Sequence, residues 1–186
     1  MAREGVVSEL LKARYASRSI SSEQIPESVL GHLIEAIRLT PSCFNNQPWN
    51  YLFLMSPEAL EKGRQCLVPG NLEWAGSAPL IVIAYARKKD DCVLKDGRAY
   101  YQFDVGMSVM NLMLAATANN LVARPMAGFN PDAIKEKFGL DEESEPIVVL
   151  ALGFYNADES RLPDRLKGAN EKPRVRKRPD EIVTIV

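Results

Sequence analysis

The chain of 186 residues carries a net charge of -1, with 46% hydrophobic and 25% charged residues. That balance fits one globular domain able to bury most of its unfolded surface, and near neutrality excludes a general polyanion binder. Cys43, Cys66 and Cys92 are odd in number, widely spaced and without a CxxC pair, so neither a disulfide framework nor a zinc site is indicated; a reducing, cytoplasmic location is the simpler reading.

The opening MAREGVVSELLKARY has acidic residues inside its short apolar run and does not read as a signal peptide. Residues 5–15 read as a short helix with Val6, Leu10 and Leu11 on one side. SISSEQIPES breaks that pattern, and Pro26 suits the first turn of a second helix, where a missing N–H is harmless. Val29, Leu30, Leu33, Ile34 and Ile37 recur with helical spacing until Pro41. Asn50–Met55 reads as a strand, residues 57–67 as a helix and VPGNLEW as turn-rich.

Pro79–Tyr85 (PLIVIAY) is dense in β-branched residues and predicts a buried strand. From Arg98 to Asn119 the pattern gives the longest helix, with Gly106, Ala115, Ala116 and Ala118 permitting close packing. The uncharged stretch Val105–Ala123 holds Ser108, Asn111, Thr117, Asn119 and Asn120, which are costly in lipid; it reads as a central or interface helix, not a membrane span. Leu121–Met126 is a short extended piece, Pro131–Phe138 a short helix and Pro146–Gly153 another buried strand. Residues 1–157 then form a core, and 158–186 a charged, proline-rich arm ending in a small strand, Ile182–Val186, that would gain by docking on a partner subunit.

No GxG pair occurs among the glycines, so a dinucleotide fingerprint and a Walker loop are both missing. A single histidine, His32, leaves most hydrolytic triads without their parts and reads as a surface or boundary residue. If the chain is an enzyme, the hard chemistry belongs to a bound cofactor. Arg14 and Arg18 flank a polar turn, and KPRVRKRPDE holds five cations within residues 172–178. Each cluster alone is a solvated basic face; together they could hold one phosphate from two sides. The stretch TPSCFNNQPWNY (Thr40–Tyr51) is either a turn satisfying its own backbone or a site shaped for a flat, hydrogen-bonding ring.

Four segments in order carry a resemblance: Arg14-Tyr15-Ala16-Ser17-Arg18, Pro41-Ser42-Cys43-Phe44-Asn45-Asn46-Gln47-Pro48-Trp49, Arg124-Pro125-Met126-Ala127-Gly128-Phe129 and Arg176-Lys177-Arg178-Pro179. Over nearly its whole length the chain resembles the FMN-dependent nitroreductase family. The resemblance implies an α+β fold, nitroreductase-like, with a central, mainly antiparallel sheet flanked by helices, a long central helix, and a homodimer exchanging C-terminal arms and binding two FMN at its interface. It implies Arg14, Arg18, Arg176 and Arg178 around the phosphate and ribityl chain. Tyr15 and Ala16 would offer backbone groups near the pyrimidine end, and Asn71 would bond the pyrimidine edge. Ser42 and Asn45 would come from the other subunit, with Ala127 and Gly128 beneath the ring and the Gly128 N–H toward its N5–O4 side. Position 16 is Ala where many relatives have Ser, position 127 is Ala where some have an acidic residue, and Trp74 stands where certain members place a lysine.

The implied activity is NAD(P)H oxidation with ping-pong reduction of a nitroaromatic, quinone or similar small electron acceptor. NADH or NADPH is the donor, flavin N5 carries the chemistry, and no side chain or metal acts as catalyst. Tyr100, Tyr101 and Phe103 either stack an aromatic substrate or pack a helix, and Cys43 reads as a small filler ahead of a redox thiol. Alternatives on the same residues are reductive dehalogenation or flavin fragmentation, a flavin-holding sensor without turnover, and a nucleic-acid-binding protein using the basic arm. Against the last stand Pro173, Pro179 and the near-neutral charge.

Overall fold

The computed structural model describes residues 4–170 and 172–186. Four strands, β1 (Trp49–Leu54), β2 (Leu80–Arg87), β3 (Leu121–Met126) and β4 (Ser144–Phe154), form one sheet in the order β1-β2-β4-β3, with every neighbouring pair antiparallel. Side chains of a strand alternate between faces, and here both faces are covered. Leu80, Val82, Ala84 and Ala86 of β2 and Leu150 and Leu152 of β4 pack with α2 (Glu27–Arg38) and α5 (Tyr101–Ala118). Ile81, Ile83, Val149 and Ala151 point the other way, toward α3 (Pro57–Gln65), α4 (Pro69–Ala75) and α6 (Pro131–Phe138). Two-sided burial is why PLIVIAY and PIVVLALG read as unbroken apolar runs.

The long helix α5 buries one face against the sheet, and Ser108 and Asn111 find hydrogen-bond partners within the fold. Ser108 hydrogen-bonds the Tyr51 hydroxyl at 2.6 Å and donates to the Val105 carbonyl at 2.9 Å. Asn111 Nδ2 donates to Thr40 Oγ1 at 2.8 Å. Among the described residues no helix is long and apolar enough to cross a membrane.

Three elements differ from the sequence reading. VPGNLEW is not a turn: Pro69 opens α4, and burial of Trp74 and Ala75 holds a helix that local turn signals argued against. The long helix starts at Tyr101, not Arg98, because Asp96 accepts from both the backbone N–H and Nε of Arg98 and keeps it in the preceding loop. Residues 182–186 form no strand; after a 3-10 turn at Pro179–Glu181, Ile182, Val183, Ile185 and Val186 lie exposed. A strand exists by pairing its backbone with a neighbour, and among the described residues this segment meets none.

Helix α1 (Glu4–Ala13) leads into the segment that binds the far end of the sheet, where Ile20 bridges Tyr155 and Ser19 Oγ donates to the Asn156 carbonyl at 2.5 Å. The first half of the arm folds back on the same chain. Leu162 is buried, and Glu159 accepts from Gly168 N and Asn170 Nδ2.

Candidate functional site

The last carbonyls of a helix have no partner within it and carry partial negative charge. At the end of α1 they are met from the other terminus: Arg174 donates to the carbonyls of Leu11, Lys12 and Arg14 at 3.2, 3.0 and 2.7 Å. Its guanidinium also lies over the Tyr15 ring at 5.7 Å, while the Tyr15 hydroxyl donates to the Ala169 carbonyl at 3.0 Å. The two ends of the chain therefore converge without a second subunit. Burial, and then the charges of Arg174 and Arg176, hold the Arg14 guanidinium below its ordinary pKa. Like charges gathered this way favour an anion among them. Arg178 sits differently: it is exposed and pairs with Asp180 at 3.1 and 2.9 Å and with Glu181 at 3.7 Å. In one chain, then, Arg14 and Arg176 are close, and Arg178 is occupied by its own acidic neighbours.

Arg18 turns toward Trp74, its guanidinium 6.0 Å from the ring centre. Arg124, from β3, approaches the same ring at 5.3 Å and donates through Nη1 to the Ala16 carbonyl. Trp74 is buried, and its neighbour Glu73 pairs with Arg165. Beside the basic turn opens a cavity of about 540 Å³ lined in part by Tyr15, Ser17, Asn120, Val122, Tyr155 and Asn170. That volume is within the range of small-molecule sites.

Three residues before Trp74, Asn71 donates through Nδ2 to the Gly128 carbonyl at 2.9 Å. The same carbonyl accepts from Val68 N at 3.2 Å, and Asn130 N donates to Cys66 O at 2.8 Å, so the loop after β3 is laced to the start of α4. A Cβ at position 128 would lie 2.7 Å from Val68 Cγ2 and 2.8 Å from Asn71 Nδ2. A side chain here would force Val68 or Asn71 to shift, and the exposed Ala127 precedes Gly128 on the same loop.

The Ser42–Gln47 turn lies elsewhere. Phe44, Asn45 and Gln47 hold positive φ of 49°, 59° and 48°, a region that costs a non-glycine residue about 1–2 kcal/mol. Ser42 Oγ accepts from Gln47 N at 2.8 Å, and buried Asp104 accepts from Cys43 N at 3.1 Å. The turn thus does satisfy part of its own backbone, yet leaves Phe44 80% exposed. Burial pushes the Asp104 carboxyl up; the Cys43 N–H opposes this, and Asp91 adds to it.

Distance divides these residues into two groups. Asp104 anchors the Ser42–Gln47 turn in the first turn of α5, whereas Leu121, just beyond the other end of α5, pairs with Phe154 beside the Arg14–Arg18 segment. A helix of 18 residues is about 27 Å long. Arg14, Tyr15, Ala16, Arg18 and Arg176, toward the Leu121 end, and Asn71, Ala127 and Gly128, beyond the other end of β3, lie on the β3 side of the sheet; Ser42 and Asn45 lie on the β1 side, at the first turn of α5.

Of the three aromatics weighed above, Tyr101 is buried, with its hydroxyl donating to Glu145 at 2.7 Å; burial first, then that carboxylate, pushes its pKa up to about 12. Tyr100 and Phe103 form a ring pair 5.1 Å apart, with Phe103 largely exposed. His32 is exposed and meets Asn119 at 2.9 Å. Arg124, Arg174 and Asp104 were not singled out from sequence. Arg174 is one cation among five in the arm, and only the partial charge at the end of α1 distinguishes it. Arg124 lies inside a quoted motif, where a cation on a short strand was the available signal.

The model of the nitroreductase family matches residues 11–65 and 65–154. A protein of Stutzerimonas stutzeri named for an NADH dehydrogenase/NAD(P)H nitroreductase is 30% identical over 159 residues, covering 76% of this chain and 80% of the relative. A nitroreductase family protein from Clostridium difficile superposes with a TM-score of 0.78 at 25% identity, over 95% of each chain. An oxidoreductase described as containing FMN superposes with a TM-score of 0.85 at 25% identity, over 98% of this chain and 93% of the other.

Proposed function

The chain belongs to the nitroreductase family, and from that premise we propose that it is an FMN-dependent NAD(P)H oxidoreductase. It works in the cytoplasm as a homodimer and reduces nitroaromatics, quinones or similar small acceptors by ping-pong turnover. FMN, when bound, would supply the redox chemistry between NADH or NADPH and the acceptor. The observation that carries the reading is the gathering of Arg14, Arg174 and Arg176 at the end of α1, linked through Arg124, which touches both Ala16 and Trp74, to the helix α4 that holds the Asn71–Gly128 contact; these donors suit a molecule with an anionic tail and a polar, flat head.

These residues fit the group. Arg14, Arg18 and Arg176 offer forked, charge-assisted donors to the phosphate. The absent side chain at Gly128 lets the loop approach α4 closely, and its backbone N–H would serve as a donor to the ring edge. Backbone and Asn71 donors fixed in advance favour the more electron-rich reduced state, because they need no reorganisation when charge appears. Ser42 and Asn45 serve the site of the partner copy, a reading supported by their separation from the rest of the set within one chain. Exposed Phe44, Ile34 and Leu39, with the apolar end of the arm, supply surface for that association. In this reading residues 1–157 are the core, and 158–186 an arm whose far end docks on the partner.

The test is direct. Purified protein should be yellow, bleach anaerobically with NADH or NADPH, and regain colour with a nitroaromatic or quinone; initial-rate plots should be parallel. Colourless protein that takes up no added FMN would overturn the reading.

A further inference from the structure

Resting on that reading, we propose that Arg124 is an anion-binding residue of the FMN site, paired with Arg18 across Trp74. Arg124 bridges the basic turn and α4. Its Nη1 donates to the Ala16 carbonyl in that turn, and its guanidinium covers the Trp74 ring at 5.3 Å on α4, three residues beyond Asn71. Arg18 lies over the same ring at 6.0 Å. Two guanidinium groups thus share one aromatic neighbour, and among the described residues neither forms an ion pair with a carboxylate.

An aromatic quadrupole attracts each cation but does not cancel its charge. Burial first, and then Arg18, lower the Arg124 pKa to about 10, while Tyr15 opposes the drop. Burying a cation beside another cation is unfavourable unless a negative partner arrives. The single hydrogen bond to Ala16 leaves further N–H groups of the fork, and none is both buried and unpartnered, so they remain open to a ligand.

FMN offers two negative groups: its phosphate, and the pyrimidine side of the ring once reduced. Both would recognise the same fork, and the experiment separates them. Two variants are made, Arg124→Met and Arg124→Gln, the second keeping an amide able to donate to Ala16. Folding is checked by circular dichroism, and affinities for FMN and riboflavin and the flavin midpoint potential are measured. Loss of one charge-assisted contact should weaken FMN binding about ten- to hundredfold. If the phosphate is held, riboflavin binding stays as in the parent; if the reduced ring is held, the potential becomes more negative. A folded Arg124→Gln with parental FMN affinity and potential, or with only a lower melting temperature, overturns the assignment. Parent protein that binds no FMN would defeat the functional reading as well, whereas parent binding with unaltered variants defeats this inference alone.

Discussion

At the β3 edge of the sheet, Arg124, Arg174 and Asn71 direct their donors at backbone carbonyls, and the loops they join are fixed to one another. At the β1 edge, Phe44, Asn45 and Gln47 hold left-handed backbone, and a large aromatic ring stands in solvent. The first region is held together by contacts within one chain. The second carries strain of the kind that persists where surrounding structure or a partner compensates. If the two regions are halves of one site, as proposed above, a single chain completes the first further than the second.

The strongest way to break this comparison is to remove the charge at the finished end. Arg14→Ala with Arg176→Ala should weaken FMN binding about 100-fold or more, two charged contacts being lost; Lys88→Ala with Lys89→Ala should change it less than about twofold by the same titration. Equal losses would misplace the phosphate. Next in size is Gly128→Ala, whose new Cβ must push Asn71 Nδ2 off the Gly128 carbonyl. It should cost about 1–3 kcal/mol in denaturant unfolding and reduce FMN affinity about tenfold.

The strained end should respond in the opposite direction. Phe44→Gly relieves a positive φ and should raise the stability of the chain by about 1 kcal/mol, while weakening self-association in sedimentation. Loss of stability would mean the turn is not strained. A smaller effect concerns pH. Asp104 has a folded pKa raised by burial, so the folded chain binds this proton more tightly than the unfolded one. Its contribution is fullest below the unfolded value, about 3.9, and declines as pH rises through the raised folded value. Asp104→Asn, still an acceptor for Cys43 N, should flatten that decline in unfolding midpoints measured across the acid range.

Much of the finished end was legible because its chemistry is local. Pro26, the i, i+3, i+4 spacing of Val29 to Ile37, and Pro41 announce a helix and its stop, and the motif around Gly128 carries the family resemblance. Two-sided burial made β2 and β4 readable as apolar runs, while the fold class came from the family resemblance. What escaped depended on distant partners. The helix over VPGNLEW is held by burial of Trp74, and Arg174 is chosen from its basic neighbours by a helix end about 160 residues away. The apolar tail at 182–186 has strand-forming residues but no edge to join along its own chain.

The central claim is that one flavin site is assembled from the Arg14–Arg176 end of one copy and the Ser42–Asn45 turn of another. It is tested most directly by mixing Arg14→Ala/Arg176→Ala protein with Ser42→Ala/Asn45→Ala protein after dissociation and reassociation, and measuring bound FMN. Each variant alone should bind poorly, and the equal mixture should regain about a quarter of the parental sites, since half the dimers would be mixed and each would hold one intact site. No recovery, with mixed dimers demonstrably formed, would contradict the account.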